Sequence, residues 1–545
     1  MLRRTLLLSV IPLSGLVFAQ DAAPKPTPKS QNEMVVMRDG VKLATSIYFP
    51  PGDGPFPVVL TRTPYGKDAM YGPGAHKQFL DQGYVRVAQD VRGKGKSEGK
   101  YVAFADDMLD GYDTVEWIAK QPWSNGKVGM YGPSAMGITQ NLAAIANPPH
   151  LVTCFVQVAP SSSFRYSTYP GGLFLKDLNE GWLKMMGAPP ADVPRPTIRT
   201  YDDDARARDL RAQAAHINIP MYNVGGWYDI FLQGSIDSFL ALQTDGGPNA
   251  RGNQKLMMGA FGHGAMKGDL KYPAEAGNLT GGDPIQWFDY WMKGIDNGVV
   301  KEPAVRYYVM GDTMDKNAPG NQWRTAASWP PQSTATSFYL TAAHGLASST
   351  PSGKGTLSYV YDPRNPTPAV GGNNLIMDRG PMDQRKVTDR ADVVKFTSEP
   401  LKAPLEITGP MSAELAISTD VEDTDFIVKL IDVYPNGYEA LVIDEGTRLR
   451  FAIDPRGATK AKKNQVYNVK VDLWSTALVF NTGHKIEVVV QSSNDPRFEP
   501  HSNTWEPVKS YDQALKATNT IVLDGRSRLV LPVTKTYSSA STGGQ

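Results

Sequence analysis

The sequence predicts an α/β fold followed by an all-β one, on three observations. Short apolar runs alternate with helical patterns up to residue 160 and again from 216 to 297. Helical periodicity becomes scarce after about Asn297. One apolar run ends in a glycine-flanked serine that opens a helical pattern. Strand–helix alternation argues for a mainly parallel sheet covered on both faces. Recurrent alternating segments separated by turns argue for a β-sandwich.

Taken in order, the chain opens with Arg3 and Arg4, a mostly apolar stretch from Thr5 to Phe18, and Val17-Phe18-Ala19. These read as a cleavable signal peptide over 1–19, too short to span a bilayer. Residues 20–33, rich in Pro, Lys and Ala, read as a flexible leader. A first α/β part is expected over 34–160. It starts with a hairpin: Val35-Val36-Met37, an Asp39-Gly40 turn, then Val41, Leu43, Thr45, Ile47 and Phe49 in alternation. Strands follow at Val58–Leu60, Tyr84–Ala88, Val128–Tyr131 and Leu151–Val158. A helix falls between them, with Met108, Tyr112, Val115 and Ile118 near helical spacing. Residues 161–215 mix aromatics, Pro and Gly with short helical stretches such as Leu178–Met186, and read as a cap inserted over a site. The α/β part resumes over 216–297 with strands at Ile219–Val224 and Leu256–Gly259 and a closing amphipathic helix at Trp287–Met292. An all-β part is expected over 298–537, including Val305–Met310, Ser337–Thr341, Ala413–Ser418, Phe426–Val433 and Ile486–Val490. Turns such as Asp362-Pro363, Gly371-Gly372 and Pro435-Asn436-Gly437 divide it. The small, polar tail 538–545 reads as disordered.

A chain of 545 residues, 41% of them hydrophobic, can bury a large core and suggests about two to four domains. With 56 basic and 55 acidic residues the net charge is +1, which gives no argument for nucleic acid or an anionic membrane as partner. No segment after the leader is apolar enough to span a membrane. Cys154, the only cysteine, lies in the apolar run Leu151–Val156. An intrachain disulfide is therefore impossible, and the thiol reads as a small core residue. Self-association is left open.

The chemistry centres on Ser134, in Gly132-Pro133-Ser134-Ala135-Met136-Gly137. A strand, a sharp turn and a helix push such a hydroxyl out at a sheet end. A serine nucleophile needs a base in hydrogen-bond reach, and the base needs a carboxylate to fix its tautomer. Of His76, His150, His216, His263, His344, His484 and His501, only His263 leaves a late strand in a glycine-rich loop. The alternative for it is a loop histidine bonded to backbone. Asp229 follows a strand end at Gly225-Gly226-Trp227-Tyr228; a turn or capping aspartate is the alternative. Asp237, inside a helical pattern, is the weaker candidate. The order Ser134, Asp229, His263 is that of α/β-hydrolases. The motif departs from G-x-S-x-G, since the second glycine, Gly137, stands at +3.

Longer motifs sharpen this. Asp90-Val91-Arg92-Gly93-Lys94-Gly95-Lys96-Ser97-Glu98-Gly99, Asp110-Gly111-Tyr112-Asp113-Thr114-Val115-Glu116-Trp117-Ile118 and Gln121-Pro122-Trp123-Ser124-Asn125-Gly126-Lys127-Val128-Gly129 precede the serine turn. Phe396–Leu401, Asp423–Phe426 and Ser492–Phe498 follow it. Together they resemble the cocaine esterase and α-amino acid ester hydrolase group, related to X-Pro dipeptidyl peptidases, over nearly all of the chain after the leader. That group's G-x-S-x-x-G accounts for Gly137. The resemblance implies an α/β-hydrolase fold with an inserted helical cap, followed by an all-β, galactose-binding-like jelly roll. It implies Ser134 as nucleophile, Asp229 as acid and His263 as base. It also implies an oxyanion hole from the Tyr65 hydroxyl, in Thr63-Pro64-Tyr65, and the Ala135 backbone N–H.

One departure narrows the substrate. α-Amino acid ester hydrolases hold the substrate ammonium with carboxylates, two of them just after the catalytic acid; here those positions are Phe231 and Leu232. The early segment Ala159–Phe164 also lacks a carboxylate. Phe231 then matches an acyl-pocket aromatic, with a plain core residue as the alternative. Three other patterns are set aside. Gly95-Lys96-Ser97 resembles a P-loop end, but Asp90 stands where that loop needs glycine. Asp420, Glu422, Asp423 and Asp425 read as a solvated turn rather than a calcium site. No His/Cys spacing suggests zinc, and no cofactor or metal is expected. The expectation is an exported serine hydrolase acting on small-molecule esters through an acyl-enzyme. Amide cleavage, by an X-Pro dipeptidyl peptidase or a β-lactam side-chain acylase, is the rival. A secreted carbohydrate-binding or adhesion protein using the β part is the rival of another class.

Overall fold

The computed structural model describes residues 29–70, 76–187, 199–278 and 280–537. The signal peptide, most of the leader and the tail expected from sequence lie outside the described residues. The first ten strands are β1 Ser30–Val36, β2 Lys42–Tyr48, β3 Phe56–Thr63, β4 Val85–Asp90, β5 Ser124–Pro133, β6 Leu151–Gln157, β7 Met221–Tyr228, β8 Lys255–Gly262, β9 Val305–Val309 and β10 Gln322–Ala326. They form one sheet in the order β1-β2-β4-β3-β5-β6-β7-β8-β9-β10. It is parallel from β4 through β9 and antiparallel at both edges. β3 to β8 carry runs of Val, Leu, Met and Phe because both faces of the sheet are covered.

Two expectations are corrected here. Ser30–Glu33, assigned to the leader, pair with β2 and belong to the first hairpin. Val305–Met310 was expected in the all-β part, yet β9 pairs in parallel with β8 and β10 pairs with β9. A five-residue strand carries no sign of which sheet it joins.

The covering helices include α1 Asp107–Ala119, α2 Ala135–Ala146, α3 Lys176–Met185, α4 Leu232–Asp245 and α5 Pro284–Phe288. α2 lies very close to β6: a methyl group at Gly137 would stand 2.6 Å from Ala159 Cβ and 3.1 Å from the Gln157 carbonyl oxygen. That contact is the physical reason for the glycine at +3. α3 sits in the segment 161–215, and Trp287–Met292 continues α5 into a wider turn.

The remaining strands are β11 Thr334–Leu340, β12 Leu346–Ala347, β13 Gly355–Tyr361, β14 Val394–Thr397, β15 Leu405–Thr419, β16 Asp425–Val433, β17 Glu439–Arg448, β18 Tyr467–Phe480, β19 Lys485–Gln491, β20 Ala517–Leu523 and β21 Arg528–Thr536. One sheet runs β12-β11-β21-β15-β20-β13, with β18 also on β15; another runs β14-β19-β16-β17. Their inward residues, such as Leu415, Phe426, Leu430, Val488 and Ile521, share one core cluster with Trp227, Ile236 and Phe239 of the α/β part. The architecture is thus an α/β-hydrolase-like fold with a β-rich C-terminal part on a shared core.

The acidic run at the start of β16 is a solvated turn only in part: Glu422 is exposed and Asp420 half-buried. Asp423 and Asp425 are buried. Arg450 and His501 pair with Asp423, and Arg448 pairs with Asp425 at 2.8 Å. Burial works to raise the Asp423 pKa, but His501, Arg448 and Arg450 outweigh it and hold the carboxyl down at about 2. Asp90 has a structural role: its carboxylate accepts from the Lys67 and Lys96 N–H groups, and its carbonyl accepts from Ser97 Oγ. Among the described residues no helix is long and apolar enough to cross a membrane.

Candidate active site

β5 runs into the serine turn and α2 runs out of it. Ser134 adopts φ 59° and ψ −126°, a strained conformation for a residue with a Cβ. The turn is tied down on both sides: Ser134 N–H donates to the Gln157 carbonyl at 2.9 Å, and Gln140 Nε2 donates to the Gly132 carbonyl at 2.9 Å. Gly132, at φ 139°, leaves the room Met136 needs, since a methyl there would lie 2.8 Å from Met136 Cβ.

His263, in the loop after β8, is buried with its Nε2 2.8 Å from Ser134 Oγ. Its Nδ1 lies 2.7 Å from Asp229 Oδ2. Asp229 follows β7 and is fully buried, and its other oxygen accepts the Phe231 N–H at 2.7 Å. The tautomer that completes the chain is the one with the proton on Nδ1, facing the carboxylate, and the Nε2 lone pair facing the serine O–H. The three residues expected from sequence thus meet in one hydrogen-bonded chain. Asp237 stands apart, accepting from Ser161 Oγ at 2.7 Å and Arg211 Nε at 2.6 Å.

Tyr65 follows β3, and its hydroxyl accepts from Trp182 Nε1 at 3.2 Å. Burial raises its pKa, against the opposing pull of Trp182 and the neighbouring Ser134 side chain, so the phenol keeps its proton at neutral pH. Ala135 is the first residue of α2, and its N–H has no acceptor within the helix. Phe231 sets its ring edge-on to the His263 ring, centroids 5.4 Å apart at 87°.

These groups open on a cavity of about 820 Å³ lined by Tyr65, Ser134, Ala135 and Phe231 together with Phe104, Ile138, Leu142, Phe164, Trp182 and Leu375. Trp182 of α3 stacks on Phe104 at 5.5 Å. Sequence reasoning missed Trp182, Phe104, Phe164 and Leu375, because nothing local marks an aromatic or a leucine as facing a distant serine. Among the described residues, the carboxylate in the lining is Asp204, which Arg199 and Arg208 pair with at 3.5 and 2.9 Å.

Comparison with known proteins agrees in extent and kind. The X-Pro dipeptidyl-peptidase (S15 family) profile matches residues 39–199 and 194–265. The X-Pro dipeptidyl-peptidase C-terminal non-catalytic domain matches 297–530. Cocaine esterase of Rhodococcus sp. (strain MB1 Bresler) is 31% identical, over 93% of this chain and 98% of its own. The chain belongs to the cocaine esterase family. It is accordingly a serine hydrolase. Within the same group, a putative serine esterase of Mycobacterium bovis is 25% identical over 92% of this chain and 94% of its own. A solved α-amino acid ester hydrolase superposes with a TM-score of 0.78 at 26% identity, over 96% of this chain and all of its own (100%). In this cocaine esterase family member, Phe231 and Leu232 stand just after Asp229, and Leu232 is buried as the first residue of α4.

Proposed function

We propose that this enzyme cleaves carboxylic esters, with Ser134 as nucleophile, His263 as general base and Asp229 as its orienting acid. The observation that carries the reading is the unbroken chain from Ser134 Oγ through His263 to Asp229, with links of 2.8 and 2.7 Å, at the wall of a mostly apolar cavity. Ser134 Oγ attacks the ester carbonyl while its proton passes to His263 Nε2, and Asp229 stabilises the imidazolium. The carbonyl oxygen, now negative, accepts from Tyr65 O–H and Ala135 N–H. Collapse expels the alcohol, which takes the proton from His263. Water then repeats the sequence on the acyl-enzyme and frees the acid.

Substrate preference follows from the cavity's charge. A free N-terminal ammonium, as on an X-Pro dipeptide or an α-amino ester, needs an unpaired carboxylate near the serine. Among the described residues the lining offers only Asp204, already paired with two arginines. An uncharged acyl group against Phe231 is the better match. The family profile favours the peptidase as the second reading. Turnover of a p-nitrophenyl ester beside an X-Pro-anilide separates them, and anilide cleavage with negligible ester turnover sinks the esterase reading. A fluorophosphonate probe is expected to label Ser134 and to leave Ser134→Ala unlabelled. Equal labelling of both removes the triad and leaves the binding-protein alternative.

We further read 161–215 as a cap, because α3 brings Trp182 to the Tyr65 hydroxyl, and the two C-terminal sheets as a jelly roll. Export after cleavage at Ala19 is part of the proposal. N-terminal sequencing of the secreted protein should begin at Gln20.

A further inference from the structure

We propose that Arg379 and Asn373, both from the β-rich part, are positioning residues that hold the backbone carrying the base and the acid. The inference rests on the triad reading above. Arg379 Nη1 donates to the His263 carbonyl at 2.7 Å, and Nη2 donates to the Leu375 carbonyl at 2.7 Å. Asn373, fully buried, donates from Nδ2 to the Asp229 carbonyl at 2.9 Å and to the Trp227 carbonyl at 3.1 Å. One short stretch of chain therefore grips the two loops whose side chains must meet.

A second observation concerns the room around the same arginine. His263 is flanked by Gly262 and Gly264, and Arg379 occupies the space their side chains would take. A methyl on Gly264 would stand 2.6 Å from Arg379 Nη1, and one on Gly262 would stand 3.1 and 3.2 Å from its Cγ and Cδ. The glycines beside the base thus admit the arginine. The grip is itself stiff. Gly372 and Gly380 exchange two backbone hydrogen bonds, at 2.9 and 3.0 Å, and Lys267 N–H donates back to the Arg379 carbonyl at 2.8 Å. Gly372 packs on Asp444 of β17, whose carboxylate accepts from Asn494 Nδ2 at 2.6 Å and pairs with Arg497 at 2.7 Å. Neither Arg379 nor Asn373 touches a reacting atom. Their effect passes through the placement of His263 and Asp229, where a shift of about 1 Å costs on the order of 100-fold.

The test uses the full chain with Arg379→Met, Arg379→Lys, Arg379→Ala and Asn373→Ala. Read-outs are the rate of fluorophosphonate labelling of Ser134, kcat and KM on a p-nitrophenyl ester, and circular dichroism. Arg379→Met is expected to lower labelling and kcat by about 10- to 100-fold with KM within about twofold. Arg379→Lys, which keeps one donor, should recover most of the rate. Added methylguanidinium should restore part of the Arg379→Ala rate. In a His263→Ala background, Arg379→Met should cost nothing further, because the two act as one unit. A folded Arg379→Met enzyme labelled within about twofold of wild type overturns the proposal. Should Arg379→Met not fold, a methylguanidinium titration of Arg379→Ala that leaves the rate flat overturns it equally. Wild type unlabelled at Ser134 overturns the triad reading and this one together, so the two failures are distinct.

Discussion

Ser134 is held at a positive φ by its neighbours, and its chemistry depends on groups that local sequence marks unequally. The serine, Asp229 and His263 were legible because each sits at the end of an apolar run, where a turn leaves its own signature. Tyr65 was legible only through family motifs, since a tyrosine after Pro64 otherwise reads as a turn residue. Trp182, Asn373 and Arg379 lie far along the chain from the groups they touch, and no local pattern announces them. At this scale Tyr65→Phe should lower kcat by about 100- to 1,000-fold, on the order of 2.7–4 kcal/mol, with little change in KM. The Ala135 N–H would then be the remaining donor. Steady-state kinetics on an uncharged ester check it, and a loss below tenfold removes Tyr65 from the oxyanion hole. Asp229→Asn should cost on the order of 10⁴ in kcat while leaving the fold intact, because the amide favours the wrong imidazole tautomer.

At the scale of elements, the junction of β5, α2 and β6 sets where Ser134 points. Gly137 lets α2 approach Ala159 and the Gln157 carbonyl, and that same carbonyl receives the Ser134 N–H. Gly137→Ala should therefore lower the melting temperature and kcat together, since the helix that follows Ser134 must back away from β6. A variant with unchanged kcat would uncouple the glycine from catalysis. A second element-level effect is pH dependence in the β-rich part. Glu487 of β19 faces Thr397 of β14, whose hydroxyl donates to it at 2.6 Å. Burial raises its pKa from 4.5 to about 7, with the nearby Glu439 adding to the shift and Thr397 opposing it. A raised carboxyl pKa favours the protonated folded form. Stability from this group is full below about 4.5 and is lost as pH rises through about 7. Glu487→Gln should flatten the fall in melting temperature between about pH 5 and pH 8. Parallel wild-type and variant melting curves in that range would refute it.

For the whole molecule, the α/β part does not end where its helical pattern ends. β9 and β10 complete the first sheet from beyond residue 297, and a single core cluster holds Trp227 and Phe239 with Phe426 and Val488. A fragment ending at residue 297 would expose the β8 edge and that core, and would lack Asn373 and Arg379. It is expected to be insoluble or unlabelled by a fluorophosphonate, and a soluble fragment labelled at the full-length rate would show the halves to be separable. The sequence by itself determined the alternation of strands and helices in the first part, the change to β structure near residue 297, and Ser134, Asp229 and His263 as candidates for one relay. These follow from short-range periodicity and turn chemistry, which a chain carries locally. Only the tertiary structure decided that Val305–Val309 joins β8, that Asp423 and Asp425 are buried against arginines, and that Arg379 lies between the glycines beside His263. Those facts depend on which distant surfaces meet, and that is set by packing across the whole core rather than by any window of residues.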